Sequence, residues 1–172
     1  DYVGRSESLE TLVEDTPNLV ILKSMSKIYA LSGARIGYLV ANESLVGKLR
    51  TFTPPWSVNL IGQVAAVTAL KNEAYYVKRI RETVNETSRF IQKISKIRGL
   101  RPYPASANFF LVELMDSSIT ASWLCSQMAK KGIFLRNPDS QSDQLGGRFI
   151  RISTKRRRDN QVIWSALKQL LG

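Results

Sequence analysis

The sequence contains no histidine and only one cysteine, Cys125, among its 172 residues. The lack of histidine excludes Ser-His-Asp triads, Cys-His pairs and most zinc sites, because each of them needs an imidazole. A single cysteine cannot form a disulfide within the chain or a cysteine-based zinc site, so we expect no metal. Its amphipathic surroundings predict a core or half-buried thiol. Any proton transfer therefore has to use lysine, tyrosine, a carboxylate or a cofactor.

The sequence also has no long hydrophobic run. No apolar stretch approaches the roughly 20 residues that a membrane-spanning helix needs. The first ten residues, DYVGRSESLE, are polar and acidic, which is not typical of a signal peptide. We therefore expect a cytoplasmic protein that makes no contact with a membrane. The chain does not start with methionine, which is consistent with a start inside a longer protein.

The composition is that of a folded protein, with 44% hydrophobic and 23% charged residues. The net charge of +11 raises the question of nucleic-acid binding, and the densest basic run is TKRRRD at residues 154–159. The other basic residues are scattered, and the sequence has no zinc-finger, RRM or leucine-zipper pattern. We interpret the basic run as a solvated face and do not expect nucleic acid as the partner. Positive charge also suits an anionic small-molecule ligand. The alternative, a basic nucleic-acid-binding domain, would lose DNA binding steeply with salt.

Apolar runs and amphipathic stretches alternate along the chain, which predicts an α/β fold. Predicted strands cover residues 18–23, 34–41 and 108–114 and the segments LRPY, IFLR and RFIRIS. Predicted helices cover residues 43–52, 57–72, 74–97 and 120–132, and a last helix that Asp159 would cap. We expect strand 18–23 and helix 57–72 to be well buried. Short predicted strands precede residue 72, and a long amphipathic helix leading into a compact α/β unit follows it. We therefore place domains at residues 1–72 and 73–172.

The stretch SMSKIYALSGARIGYLV, residues 24–40, carries the unusual chemistry. Ser24 and Ser26 follow a predicted strand, where ligands commonly bind in open α/β sheets. If the chain stays extended they point the same way, so both hydroxyls can donate to a phosphate. Arg35 offers a planar guanidinium that also suits a phosphate. Lys27, beside such an anion site, suits covalent chemistry with an aldehyde cofactor.

Two glycines in the same stretch, Gly33 and Gly37, allow a tight turn or a close approach of the backbone to a ligand. A lone lysine in a loop is usually an exposed surface residue, and an arginine between small residues usually has a structural role. The combination Ser-x-Ser-Lys followed by Gly-x-Arg-x-Gly favours a cofactor site over that interpretation.

This stretch closely resembles the lysine segment of fold-type I, pyridoxal-phosphate (PLP) enzymes of the class I/II aminotransferase family. The resemblance is greatest to the branch of histidinol-phosphate aminotransferase and threonine-phosphate decarboxylase. It implies that Lys27 bonds covalently to the cofactor aldehyde and that Ser24, Ser26 and Arg35 hold the cofactor phosphate. It also implies a homodimer and a small-molecule amino substrate. The matching positions are Ser24, Ser26, Lys27, Gly33, Arg35, Gly37 and Tyr38.

The resemblance continues through PPWSVNLIGQVAAVTAL, ANFFLVEL and GRFIRIS. In the family, the arginine of the last segment binds the substrate α-carboxylate, which implies that role for Arg151. Arg136, in GIFLRNP, matches a second arginine that some relatives use for a substrate phosphate or carboxylate. Asn108 either lines the site or has a structural role at the strand edge.

The implied fold is α/β, comprising the C-terminal part of the PLP-dependent transferase major domain and the small α/β C-terminal domain. The resemblance covers only the C-terminal half of such an enzyme. The family's glycine-rich phosphate loop, ring-stacking aromatic residue and aspartate for the pyridine nitrogen lie upstream. Asp1 follows that stretch, so we do not assign it the aspartate's role. We expect little or no activity from this chain alone.

The function that the resemblance implies is a PLP-dependent aminotransferase of amino-acid biosynthesis, acting on an amino acid or a phosphorylated amino compound. One alternative is a decarboxylase of the threonine-phosphate type, which would use the same residues to hold the cofactor. A further alternative is a non-catalytic scaffold domain of the same fold. Which bond of the substrate breaks depends on geometry that the sequence leaves open.

Overall fold

The computed structural model describes residue 2, residues 8–142 and residues 145–172. Asp1 lies outside the described residues. The chain divides into two compact units, Asp1–Ile80 and Arg81–Gly172. The division falls after residue 80, within a long helix, whereas the sequence pattern changes near residue 72.

The fold is mixed α/β, with helices and antiparallel sheets. The strands are Val20–Ser24 (β1), Gly37–Ala41 (β2), Leu100–Pro102 (β3), Phe109–Leu114 (β4) and Phe149–Ser153 (β5). The helices are Glu43–Thr51 (α1), Leu60–Lys71 (α2), Glu73–Ile94 (α3), Ala121–Ala129 (α4) and Arg157–Leu171 (α5). Short 3-10 helices cover Leu9–Leu12 and Asp139–Gln141. No helix in the described ranges is long and apolar enough to cross a membrane.

The first unit is built on a two-stranded sheet, in which β1 pairs antiparallel with β2 from Val20 opposite Ala41 to Ser24 opposite Gly37. Its buried cluster comprises Met25, Ala66 and Ala69, with partly buried side chains packed around it. Helix α2 begins at a side-chain cap, because Asn59 Oδ1 accepts a hydrogen bond from the Gly62 amide at 2.7 Å.

Two burial predictions for this unit are wrong. Strand β1 alternates between exposed and half-buried residues, and Leu22 is 77% exposed. Helix α2 buries only Gly62, Ala66 and Ala69, and Ile61 is 82% exposed. The physical reason is that strands and helices bury only the sides on which they meet a neighbour, and a two-stranded sheet offers little surface for this.

The second unit has a three-stranded antiparallel sheet in the order β3-β4-β5. One face is apolar, because alternate residues of β4 and β5 point into the core. The core cluster also takes residues from α3, α4 and α5. Its buried members are Phe90, Ile94, Ile97, Leu100, Phe110, Val112, Leu114, Ala121, Leu124, Met128, Ile150, Ile152, Ala166 and Leu167. The prediction of a half-buried Cys125 is confirmed, and burial, with a smaller effect of Asp139, raises the pKa of its thiol.

The start of α5 differs from the prediction. Asp159 lies in the first turn of the helix and not at its N-cap, which is Arg156. The buried Asn160 ties down the preceding backbone instead. Its Oδ1 accepts from the Lys155 amide at 2.8 Å, and its Nδ2 donates to the Lys155 carbonyl at 3.1 Å. Asn160 makes both bonds because its side-chain amide has an acceptor and a donor, whereas an aspartate carboxylate has only acceptors.

The predicted strand IFLR is also reduced in the structure. Only Arg136 pairs there, as an isolated antiparallel bridge with Arg151 on β5. This single bridge is important for the site described below.

Candidate active site

The lysine segment joins β1 to β2 and is anchored at Met25. This side chain is fully buried, at 0% exposure, among Ala66 and Ala69. The Met25 amide donates to the Ile36 carbonyl at 3.2 Å, and its carbonyl accepts from the Leu31 amide at 3.1 Å. Because Met25 points inward, its two serine neighbours are on the outer side of the chain.

Ser24, Ser26 and Arg35 line one groove, whose volume is about 430 Å³. The Ser26 amide donates to Ser24 Oγ at 3.3 Å, which holds the two residues in a compact turn. Arg35 Nη1 donates to the Ser32 carbonyl at 3.0 Å. Lys23 also lines the groove, and no acidic residue is among its described lining residues. Two hydroxyls and a guanidinium without a competing carboxylate suit an anion.

Lys27 follows Ser26 directly and is exposed, but it is not among the residues that line this groove. The structure therefore brings three of the four predicted cofactor residues together and places the fourth next to them in the chain. This separation suits a ligand that is held at one end by the groove and reached by an amine at the other.

Arg35 has a positive backbone φ of 52°, which is uncommon for a residue other than glycine. Such a conformation costs on the order of 1–3 kcal/mol and is found most often at functional sites. Asn59 supports the turn, because its Nδ2 donates to the Ala34 carbonyl at 3.2 Å while its Oδ1 caps α2. Sequence reasoning missed Asn59, although an asparagine before an apolar helix is a signal for a cap.

The β1–β2 hairpin also carries a polar cluster that the sequence did not predict, and two of its members, Lys23 and Tyr38, line the groove as well. Lys23 Nζ lies 3.9 Å from Glu10 Oε1 and donates to Ser8 Oγ at 3.3 Å. Tyr38, paired with Lys23 across the strands, donates to Glu10 Oε1 at 3.5 Å. Burial, followed by the charge of Glu10, raises the pKa of Tyr38 to about 12. The sequence feature that could have indicated this cluster is a lysine, Lys23, inside an apolar strand.

Both predicted substrate arginines lie in the second unit, and the structure brings them together. Arg136 and Arg151 stand directly opposite each other, since their amides and carbonyls exchange hydrogen bonds at 3.2 and 2.8 Å. Directly opposite residues present their side chains on the same face of a sheet. Like charges on directly opposite residues repel each other, and an anion bound by both side chains would relieve this repulsion.

The guanidinium of Arg151 is held against the ring of Phe109, with Cζ 5.0 Å from the ring centroid. Its Nε is buried and has no hydrogen-bond partner in the described part of the chain. Phe109 was not among the predicted site residues, because its contact depends on the register of β4 and β5. The backbone carbonyl of its neighbour Asn108 accepts from the Thr154 amide at 2.8 Å, a bond that does not involve the asparagine side chain.

The chain matches the family model "Aminotransferase class I and II" over residues 2–167. The chain belongs to this family. It is 35% identical over 175 residues to the histidinol-phosphate aminotransferase of Moorella thermoacetica, a match that covers 100% of this chain and 44% of that protein. Like the other members it matches, the Moorella enzyme is therefore much longer than this chain.

Solved structures agree with the family assignment. The L-threonine-O-3-phosphate decarboxylase from Porphyromonas gingivalis superposes with a TM-score of 0.82 at 30% identity, covering 94% of this chain and 49% of that one. The histidinol-phosphate aminotransferase from Sinorhizobium meliloti, solved in complex with pyridoxal-5'-phosphate, gives a TM-score of 0.81 at 28% identity, covering 94% of this chain and 43% of that one. This aminotransferase-family chain spans less than half of the aminotransferases and about half of the decarboxylase.

Proposed function

We propose that this chain forms the lysine-bearing half of a PLP-dependent aminotransferase that acts on an amino acid or a phosphorylated amino compound. The observation that carries the proposal is the groove formed by Ser24, Ser26 and Arg35, with Lys27 next in the chain. When bound, pyridoxal phosphate supplies an aldehyde for amino groups and a ring that withdraws electrons from the substrate Cα. The hydroxyls and guanidinium of the groove fit its phosphate, and the amine of Lys27 fits its aldehyde.

Each residue of the first unit has a separate role. Ser24 and Ser26 donate hydrogen bonds from Oγ to the phosphate, and Arg35 adds charge-assisted donors. Lys27 Nζ, once free, moves the proton that leaves or returns to the substrate Cα. A lysine in this role agrees with a sequence that has no histidine.

Arg151 and Arg136 supply the substrate contacts. A guanidinium binds a carboxylate or a phosphate through two parallel hydrogen bonds. Because the two arginines stand opposite each other on one sheet face, the site can hold an α-carboxylate and a second anionic group, or one doubly charged group. This arrangement supports the phosphorylated substrates that appear in the names of the relatives.

The second candidate function is decarboxylation of a phosphorylated amino acid. The match to the Porphyromonas decarboxylase favours it, whereas the match to the Moorella aminotransferase favours transamination. The same side chains serve both reactions, and the orientation of the Cα–carboxylate bond selects between them. Identification of the product, a keto compound or an amine with carbon dioxide, separates the two.

We extend the proposal to the organisation of the enzyme. Residues 1–72 correspond to the C-terminal part of the PLP-binding large domain and residues 73–172 to the small C-terminal domain. The active form is a cytoplasmic homodimer of amino-acid biosynthesis. The chain alone has little or no activity, since the family's partner for the pyridine nitrogen is not among its residues.

The proposal is tested by trapping the cofactor on the full 172-residue chain. The chain is incubated with pyridoxal phosphate, reduced with borohydride and mapped by peptide mass. We expect the label on Lys27, and its loss in Lys27→Ala but not in Lys48→Ala, which removes a lysine of the exposed face of α1. Pyridoxal without its phosphate, and Arg35→Ala with the phosphate, should both label Lys27 less. Labelling spread evenly over the exposed lysines would contradict the proposal.

A further inference from the structure

The outer face of the β3-β4-β5 sheet brings one aromatic ring to the candidate substrate arginine. Leu111 stands opposite Arg151, and Phe109 stands opposite Ser153. Phe109, Leu111 and Arg151 therefore share a face, and Phe109 is the diagonal neighbour of Arg151. Residues in this relation lie close enough for an aromatic and a long side chain to touch.

The contact places the guanidinium over the ring, with Cζ 5.0 Å from the centroid. This distance is within the range of about 6 Å over which an arginine is attracted to an aromatic face. The Nε atom of Arg151 is buried and, in the described residues, has no hydrogen-bond acceptor. A buried donor without a partner is costly and rare, so its persistence requires an explanation.

Because Nε is buried, an anion that binds the Arg151 guanidinium has to meet its two terminal nitrogens, Nη1 and Nη2. Arg136 stands directly opposite and is exposed, and like-charge repulsion disfavours movement of the Arg151 side chain toward it. The side chain is thus restrained by the ring on one side and by a cation on the other. Because the side chain is already restrained, an anion that binds it loses less free energy to the ordering of the side chain.

We infer that Phe109 is a positioning residue: its ring covers Nε of Arg151 and directs the Nη1–Nη2 edge of the guanidinium toward the anionic group of the substrate. The inference deepens the proposed function, on which it rests. Phe109 itself needs no contact with the substrate. The consequence is that the substrate anion meets Arg151 end-on, through the two terminal nitrogens.

The first measurement is NMR of the arginine Nε–Hε signals in the full chain, with the Arg151 signal assigned by its loss in Arg151→Lys. A ring under the guanidinium shifts Hε and protects it from exchange with water. We expect both effects in the wild type and in Phe109→Tyr, and the loss of both in Phe109→Leu. Phe149→Leu is the matched control, since it removes a ring from the same sheet face, and that ring contacts Tyr103. An Hε signal that is the same in the wild type and in Phe109→Leu would overturn the inference.

The second measurement is titration of the same chains with inorganic phosphate, followed through the signals of Arg151 and Arg136 because phosphate also suits the groove of the first unit. We expect Phe109→Leu to bind phosphate about twofold to fivefold more weakly than the wild type, a change that corresponds to the energy of one exposed cation–π contact. Phe109→Tyr keeps an aromatic ring and should bind phosphate as tightly as the wild type. Phosphate should leave the covered Hε of Arg151 protected from water. Equal affinities in all variants would overturn the positioning role. Absence of any response of Arg151 and Arg136 to phosphate in the wild type would instead contradict their part in the proposed function.

Discussion

At Gly37 the backbones of β1 and β2 approach more closely than a side chain allows. A Cβ on Gly37 would lie 2.6 Å from the Lys23 carbonyl oxygen, whereas a Cβ on Gly33 would meet no atom within 4 Å. The close approach at Gly37 is thus to the neighbouring strand. We expect Gly37→Ala to lower the free energy of unfolding of the hairpin by about 1–3 kcal/mol.

Gly33→Ala is the matched control for this prediction. Because there is space at Gly33, we expect a change of less than about 1 kcal/mol, toward higher stability. Denaturant unfolding of the full chain, followed through the amide signals of residues 37–41, measures both variants. Equal destabilisation by the two substitutions would show that the strand contact is not what requires glycine.

Tyr38 gives the first unit a dependence on alkaline pH. Burial, with a smaller effect of Glu10, raises its pKa from the ordinary 10.0 to about 12. A group whose pKa is higher in the folded state contributes stability below its unfolded pKa, and that stability is lost as the pH rises through the folded value. We therefore expect this contribution to disappear between about pH 10 and pH 12. Tyrosinate absorbance of the wild type minus that of Tyr38→Phe should titrate near 12; a midpoint near 10 would contradict the burial of this hydroxyl.

At the scale of the elements, the buried amide of Asn160 is one of the contacts that join α5 to α3. Asn160 is 3% exposed, and besides its two bonds to Lys155 it donates to Glu86 Oε1 at 3.0 Å. Removal of the amide leaves buried polar groups without partners, which costs about 1–3 kcal/mol. We expect Asn160→Ala to lower the free energy of unfolding of the second unit by this amount.

Asp159 provides the comparison for Asn160. Its carboxylate lies 3.3 Å from Arg158 Nε at the surface, and such exposed ion pairs contribute about 0–1 kcal/mol. Asp159→Ala should therefore change the stability less than Asn160→Ala, as measured by thermal unfolding of the two variants. A larger loss in Asp159→Ala would restore the capping role that the sequence predicted for the aspartate.

The sequence predicts most elements because their signals are local. Asn42 and Thr120 cap α1 and α4, and Gly99 and Gly132 have positive φ after α3 and α4, which are residue types that favour helix ends. What the sequence does not predict depends on register or on tertiary contacts. The pairing of Arg136 with Arg151 and the ring of Phe109 under Arg151 require the alignment of three separate segments.

In the candidate site, too, residues that lie within one short stretch can be predicted, whereas contacts between separate elements cannot. Ser24, Ser26 and Arg35 could be singled out as candidate phosphate ligands because hydroxyls and a guanidinium within one short loop suit an anion. The Lys23–Glu10 contact joins residues from separate elements, and nothing in the local pattern identifies the partner. The exposure of α2 was mispredicted because an apolar composition does not tell which sides have neighbours in this chain.

At the scale of the whole molecule, the two units differ in how much apolar surface they bury. The cluster of the first unit comprises Met25, Ala66 and Ala69, whereas that of the second comprises 14 residues around the β3-β4-β5 sheet. Large side chains such as Leu22, Ile61 and Trp56 remain exposed in the first unit. Since apolar burial is the main favourable term in folding, the second unit should be the more stable one.

Hydrogen exchange of the full chain tests this difference. The amides of β1 and β2 should exchange faster than those of β4 and β5, because their opening exposes less apolar surface. Phe110→Ala, which removes a buried ring from β4, should lower the protection of β4 and β5 by about 3–5 kcal/mol. Phe134, which is exposed, is the matched control, and Phe134→Ala should leave that protection unchanged. Equal protection of both sheets in the wild type would mean that the first unit gains stability from something other than its small buried cluster.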